Sequence, residues 1–151
     1  MNEAKIYEYD TINCIVNGAS ISDAGFSLTS DIDNYVDNSV LKYPYAKVTL
    51  ILNDLSAAPS AGKTVDLYRR GLNVYSSYSE PEVDSNYKGT FVGSFLIDAA
   101  DPGGTSVPYI LMKVETLPHQ MHFYIQNNLG VTISAGWNLD VVLYTFKPSA
   151  T

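Results

Sequence analysis

Cysteine and positive charge are scarce in this sequence, and each shortage excludes a class of protein. The single cysteine, Cys14, cannot form an intrachain disulfide framework and cannot by itself hold a structural zinc ion. Nine Lys and Arg stand against 16 Asp and Glu, the formal net charge is -7, and the positive residues are scattered. Because phosphate binding requires clustered cations, we expect no nucleic-acid partner.

Long apolar runs are missing as well. No segment approaches the roughly 18 consecutive apolar residues that favour a membrane span. Residues 1–5 lack the basic and then apolar regions of a signal peptide. We therefore expect a soluble protein made without a secretion signal and without a membrane partner.

Residues suited to catalysis are few. The two histidines, His119 and His122, are three positions apart, so a regular strand places them on opposite faces, as surface or edge residues that share neither a metal nor a proton. Cys14 has no cationic neighbour in sequence and is interpreted as a small buried hydrophobe. A glycosidase needs two carboxylates across a cleft, and sequence spacing identifies no such pair. We predict no enzyme, no catalytic residue and no cofactor.

Two segments come close to known ligand-binding motifs. Residues 31–38 concentrate oxygen ligands, but the spacing of an EF-hand loop fails at Tyr35 and its Gly and Glu are missing, so a solvated turn is the interpretation and no metal is predicted. Residues 57–64 resemble the end of a phosphate-binding loop. Ala57 stands where its first glycine belongs and a strand pattern follows where a helix is required, so nucleotide binding is not predicted.

Alternating apolar and polar residues predict β-strands. The pattern favours strands at the following residues: 45–52, 64–70, 91–97, 109–116, 121–126 and 137–144. Asn17-Gly18 predicts a hairpin, and residues 127–130 supply turn chemistry before the last strand. Phe91 and Phe95 are expected on one face, with Gly93 between them where something packs closely.

These strands predict an all-β fold, an antiparallel β-sandwich or jelly roll with an N-terminal arm. A chain of 151 residues is long enough for one apolar core. We divide it into an arm and hairpin at residues 1–24 and a β-sandwich domain at residues 25–151. Residues 1–10 are polar and too weakly apolar to build core, so we expect that arm to be ordered only against a partner or a neighbouring subunit.

Tyrosine is unusually frequent, with 12 copies. Half-exposed faces of a sheet account for them in one interpretation, and a tyrosine-rich interface does so in another. The arm, the long loop at residues 74–87 and the outer face of the last strand supply the interface candidates, which are Tyr7, Tyr9, Tyr75, Tyr78, Tyr87, Val142, Tyr144 and Phe146. Cover of the last strand by another part of the same chain is an equal alternative.

Several segments together resemble a family of small tailed-bacteriophage structural proteins encoded among virion genes. The similar segments span about residues 37–147 and are residues 37–39, 45–50, 61–68, 92–95, 117–118, 123–130 and 134–139. The last two look like the closing hairpin of that family. Residues 74–87 depart from its pattern. These are strand and turn signatures, and no catalytic residue is carried over.

The resemblance implies a β-sandwich virion component on the capsid exterior. The function expected from it is that of a capsid decoration or cement protein, which binds the major capsid protein and reinforces capsomer joints. A homo-oligomer, either a trimer or a dimer, is expected with it. The alternative is a recognition module in a tail or fibre, whose tyrosine-bearing loops stack on host-surface carbohydrate.

Overall fold

A computed structural model describes residues 4–148, which form nine β-strands and one short 3-10 helix at Thr29–Asp31. The predicted all-β antiparallel sandwich is confirmed, because the strands form two antiparallel sheets. The strands are β1 (Ala4–Glu8), β2 (Ile12–Gly18), β3 (Val36–Asp37), β4 (Tyr45–Leu52), β5 (Thr64–Leu72), β6 (Thr90–Leu96), β7 (Val107–Glu115), β8 (Gln120–Asn128) and β9 (Trp137–Pro148). Within residues 4–148, no helix has the length and apolarity needed to cross a membrane.

The first sheet has the order β1-β9-β4-β7, and β2 also pairs with β9. β1 lies opposite residues 144–148 and β2 opposite residues 137–141, so the two strands occupy one edge of β9 end to end. The second sheet has the order β3-β8-β5-β6. In the described part of the chain, β5 and β6 are the only consecutive strands that pair with each other.

The predicted inward faces are confirmed in the strands with the clearest alternation. In β4, every second side chain from Ala46 onwards is buried. The four inward residues of β9, from Trp137 to Leu143, are fully buried, as are Met121 and Ile125 of β8. Since side chains alternate along a strand, these residues meet between the sheets and form one apolar core.

Both predicted hairpins are wrong. Asn17 does adopt a left-handed φ of 53°, but the chain then leaves the sheet, and Ile21 makes only an isolated bridge to Ile133. Gly130 likewise turns with a φ of 77°, yet β8 and β9 lie in different sheets. Turn residues specify a reversal and not a partner. The apolar faces of β8 and β9 are buried against each other across the sandwich, so the connection is an arch between sheets.

Phe91 and Phe95 do not share a face, because the pairing of β6 with β5 is interrupted. Leu67 pairs with Gly93 and Tyr68 with Phe91, so one residue of β6 is extra. This bulge reverses the alternation, which leaves Phe91 exposed and Phe95 buried. The close approach expected at Gly93 is confirmed, because a Cβ there would lie 2.8 Å from a methyl group of Leu111.

The expectation of an arm ordered only by a partner is wrong for residues 4–8, which pair with β9 of the same chain. The amide of Tyr9 continues this edge by donating to the Leu143 carbonyl at 2.9 Å. The edge of β9 offers a row of unpaired backbone groups, which residues 4–8 can satisfy. This pairing does not require residues 4–8 to contribute apolar side chains to the core. Residues 1–3 lie outside the described residues.

Candidate binding surface

The outer face of the second sheet is covered by loops of the same chain. Tyr68 and Tyr124 point outward from β5 and β8, and both are buried. Phe26 packs on the Tyr68 ring with 5.6 Å between the centroids, and the buried Val83 of the loop after β5 joins this cluster. Loops therefore cover the centre of this face, and Phe91 of β6 remains exposed at its margin.

The outer face of the first sheet, in contrast, carries large exposed apolar side chains. Ile6 of β1, Met112 of β7 and Phe146 of β9 are 57%, 62% and 49% exposed. They surround two tyrosine rings, Tyr45 and Tyr144, whose centroids lie 5.7 Å apart. We call these five residues the aromatic patch. Contiguous exposed apolar surface of this kind is typical of a contact with a partner.

Two of the sequence candidates are buried within this surface. Val142 and Tyr144 are 9% and 7% exposed, so the expectation that they lie open beside Phe146 is wrong. The Tyr144 hydroxyl donates to the Met112 carbonyl, and its ring meets Phe146 edge-on at 5.5 Å. Burial raises the pKa of Tyr144 above its usual value. Neighbouring strands of the same sheet provide this cover, and Phe146 remains the exposed candidate.

Three charged side chains lie next to the aromatic patch, and two of them pair with each other. Lys47 and Glu8 form an ion pair at 3.4 Å. The Lys113 ammonium lies 4.9 Å from the centre of the Tyr45 ring, a cation-π distance. The patch therefore presents apolar surface with an ion pair and one further lysine at its rim, an arrangement that suits contact with another protein.

The tyrosine candidates of the N-terminal segment lie away from the patch. Tyr7 pairs with Thr145, so its side chain is on the other face of the sheet from that of Phe146. The Lys147 ammonium lies 5.1 Å from the centre of the Tyr7 ring. Tyr9 is 50% exposed and lines a groove at the edge of the sandwich. The sequence candidates therefore belong to several surfaces and form no single site.

The loop after β5 presents two more tyrosines at its tip. Tyr75 and Tyr78 bridge each other through backbone hydrogen bonds and are 78% and 70% exposed. Tyr87, nearer the end of the loop, is half-buried, and its amide donates to the Asp84 carboxylate at 2.9 Å. The structure thus brings two of the three loop candidates together in solvent.

A polar cluster anchors this loop to the second sheet. Arg70 of β5 donates to the Glu80 carbonyl at 3.0 Å and to Nδ1 of His122 at 3.3 Å. The Glu80 carboxylate accepts the amide of Gly71. His122 is half-buried in a central strand, so its assignment to the surface or an edge is wrong. Burial first, and then the Arg70 charge, lower its pKa to about 4.

This pKa predicts a pH dependence of stability. Because His122 titrates near 4 in the folded chain and near 6.5 when unfolded, the unfolded chain binds an extra proton between these values. The free energy of unfolding should fall as pH falls through this window, by about 2 kcal/mol once solvent screening is allowed for. His122→Gln keeps an acceptor for Arg70 but cannot titrate in this window. Urea titrations at several pH values should therefore show a smaller fall in its free energy of unfolding. An equal loss in both proteins would assign the effect to other groups.

Cys14 is the small buried hydrophobe that the sequence indicates, with 2% of its surface exposed. Burial and the nearby Asp140 charge raise its pKa to about 12. A thiol in this state is almost entirely protonated at neutral pH and is a poor nucleophile.

Carboxylates of the acidic segment at residues 31–38 accept hydrogen bonds from backbone amides. Asp31 accepts the amide of Leu28 at 3.2 Å, and Asp33 accepts that of Val16 at 2.7 Å. Within residues 4–148, no group of three or more His, Cys, Asp or Glu residues is arranged to hold a metal ion.

Comparisons with protein-family models, curated proteins and solved structures find no match for this chain.

Sequence reasoning missed three members of the aromatic patch: Ile6, Tyr45 and Met112. A signal was present in β7, where residues 107–112 are apolar without a break. In an antiparallel sheet with one wet face, such a run places apolar side chains on the solvent side as well as in the core. Ile6 and Tyr45 had no comparable signal, because their exposure depends on strand pairing across the sheet.

Proposed function

We propose that this chain is a non-enzymatic structural protein of a tailed-phage virion, a capsid decoration or cement protein. It binds the major capsid protein on the outside of the shell and reinforces the joints between capsomers. The sequence resemblance suggests this role, and the aromatic patch is the single structural observation that carries it.

The strand order supports the jelly-roll form of the sandwich. With β1 and β2 counted together as strand 1, the sheets have the orders 1-8-3-6 and 2-7-4-5, as if one long hairpin were wrapped into a barrel. Jelly rolls recur in viral capsid and lectin domains. The support is one of analogy, since one fold hosts many functions. The surface must therefore supply the rest of the argument.

The aromatic patch fits a protein shell better than a small ligand. Its exposed members extend over β1, β9 and β7, the full width of the first sheet, while loops cover the centre of the opposite outer face. A broad, largely apolar face suits a wide contact with another protein. We propose that the patch faces the shell and that a trimer or dimer is the bound form.

Two matched double variants test this proposal on virions of the phage that encodes the chain. Met112→Ser with Phe146→Ser removes two exposed side chains of the patch, whereas Leu28→Ser with Leu96→Ser removes two similarly exposed ones elsewhere. The patch variant should bind particles at least about tenfold more weakly, because each buried apolar side chain contributes on the order of 1 kcal/mol or more. The control variant should bind like the parent chain.

Cosedimentation with particles that lack the protein measures this binding, and cryo-electron microscopy locates the bound chain. Sandwich-shaped density on the shell exterior with the first sheet inward is the expected result. Density at the tail, or equal binding by both variants, would contradict the proposal.

A recognition module in a tail or fibre is the second candidate, and one observation favours it. Tyr75 and Tyr78 stand exposed on a loop whose backbone Arg70 and Val83 anchor to the sheet, so the loop holds both rings in solvent. Aromatic rings on an ordered loop can stack on sugar rings. Glycan-array binding that Tyr75→Ser with Tyr78→Ser abolishes would favour this candidate over the shell protein.

A further inference from the structure

An open groove of about 610 Å³ lies between one edge of the first sheet and one edge of the second. Tyr9 of the β1–β2 connection forms one side, and Asp33 and Tyr35 of the segment before β3 form another. Asp37 of β3 and the loop residue Val40 also line the groove. This groove is separate from the aromatic patch and from the tip of the loop after β5.

The groove carries uncompensated negative charge. Its lining contains two carboxylates, Asp33 and Asp37, and no Lys or Arg. The Lys47–Glu8 contact is the one ion pair between described residues, so neither carboxylate has a counterion there. Hydrogen bonds from Ser39 hold the pKa of Asp37 below its usual range, which keeps this group ionised. A cationic ligand is therefore favoured over an anionic one.

The charged hydrogen-bonding groups of the groove are acceptors, whereas the hydroxyls of Tyr9 and Tyr35 can donate or accept. Asp33 accepts the Val16 amide through Oδ2 and keeps a second oxygen, whereas Asp37 accepts from Ser39 through Oδ1 and also from the Gln120 side chain. The amide nitrogen of Asn34 already donates to the Asn13 carbonyl at 2.9 Å. The two carboxylates therefore require donors from the ligand. Ammonium and guanidinium groups combine donors with a positive charge, which a sugar hydroxyl lacks.

Two rings and an aliphatic side chain complete the match to a basic residue. Tyr9 and Tyr35 are 50% and 48% exposed at the groove, and Val40 is 86% exposed. Tyrosine faces attract cations, and the methylene stem of Lys or Arg packs on apolar surface while its charge reaches a carboxylate.

We propose that this groove binds an extended segment of a partner protein that carries lysine or arginine. The groove is open and lies between the two sheet edges, so a basic side chain of an extended segment that enters it would meet both the tyrosines and the carboxylates of its lining. The proposal does not depend on the role of the aromatic patch and holds for a partner inside or outside a virion.

Titration of the whole chain with dye-labelled peptides tests the proposal. The probe is an amidated peptide of alternating Lys and Thr, and its match alternates Gln and Thr. Fluorescence anisotropy measures binding at physiological salt. The Lys peptide should bind, and the Gln peptide should bind at least about tenfold more weakly, because the attraction depends on charge.

Three variants assign the binding to the groove. Asp33→Asn with Asp37→Asn keeps the oxygen acceptors for Val16 and Ser39 and should weaken binding about tenfold. Glu82→Gln with Asp98→Asn removes the same charge from exposed positions outside the groove and should change binding less than about twofold. Tyr9→Leu with Tyr35→Leu should weaken it about fivefold through the lost ring faces. Thermal melting confirms that each variant is folded.

Three outcomes would overturn the proposal. Equal weakening by the groove and control carboxylate variants would mean diffuse attraction to an acidic protein. Equal affinity for the Lys and Gln peptides would mean that charge is not recognised. Binding of chito-oligosaccharide that perturbs the Tyr9 and Tyr35 resonances, with no perturbation by the Lys peptide, would make the groove a carbohydrate site.

Discussion

Replacing Asn127 with Ala should lower the free energy of unfolding by about 4 kcal/mol. The side chain is fully buried, and its amide nitrogen donates to the carbonyls of Ile21 and Val131 at 2.9 and 2.7 Å. Its oxygen accepts the amide of Leu129 at 3.0 Å. Alanine would leave the Val131 carbonyl and the Leu129 amide without this partner, at about 1–3 kcal/mol each before relaxation or entry of water, while the Ile21 carbonyl still accepts the amide of Ile133.

The neighbouring residue provides the matched control. Asn128 is half-buried and makes one side-chain hydrogen bond, to the Asp66 carboxylate at 2.8 Å, where water can replace it. Asn128→Ala should therefore lose only about 1 kcal/mol. Urea unfolding followed by tryptophan fluorescence measures both, since Trp137 is buried in the core. Similar losses in the two variants would show that the Asn127 hydrogen bonds do not hold the arch between β8 and β9.

The strands were predictable because alternation is a local property. In β4, the bounds and the inward set follow from residues 45–52 alone. β8 extends the same pattern to Asn127, whose side chain continues the inward row of Met121 and Ile125. The sequence prediction placed Asn127 in a turn, because Asn favours turns and nothing local indicates that its partners are Ile21 and Val131.

Strand partners were not predictable in the same way. Gly130 marks a reversal in either case, but a hairpin and an arch differ in whether the next strand pairs or packs face to face. That choice depends on β5 and β4, which occupy the edges of β8 and β9 that a hairpin would use. Long-range competition of this kind leaves no local signal. The same competition places residues 4–8 on β9.

The exposure of a candidate residue was predictable where the residue lies in a loop or at the end of a strand. Tyr75, Tyr78 and Phe146 are exposed as the sequence indicates. Tyr144 is covered because Tyr45 and Met112 stand beside it on paired strands. The groove at Tyr9 joins segments far apart in sequence, so no single stretch predicts it.

Replacing Gly18 with Ala should lower the free energy of unfolding by about 3 kcal/mol, near the upper end for overpacked cores. Gly18 ends β2 opposite Trp137, and a Cβ there would overlap the indole ring. The ring has little room to move, because Trp137 is fully buried and its Nε1 donates to the Ala19 carbonyl at 2.8 Å. Glycine opposite an aromatic residue lets the ring lie over the backbone.

Gly93→Ala is the matched substitution in β6. Its new Cβ would meet only a terminal methyl group of Leu111, at 2.8 Å, and that side chain can rotate away. The loss there should stay within about 1 kcal/mol, offset in part by the smaller entropy of the unfolded chain. Urea unfolding compares the two variants, and near-ultraviolet circular dichroism reports the packing of Trp137. Equal losses at Gly18 and Gly93, or an unchanged tryptophan signal in Gly18→Ala, would mean that the indole is not held against β2.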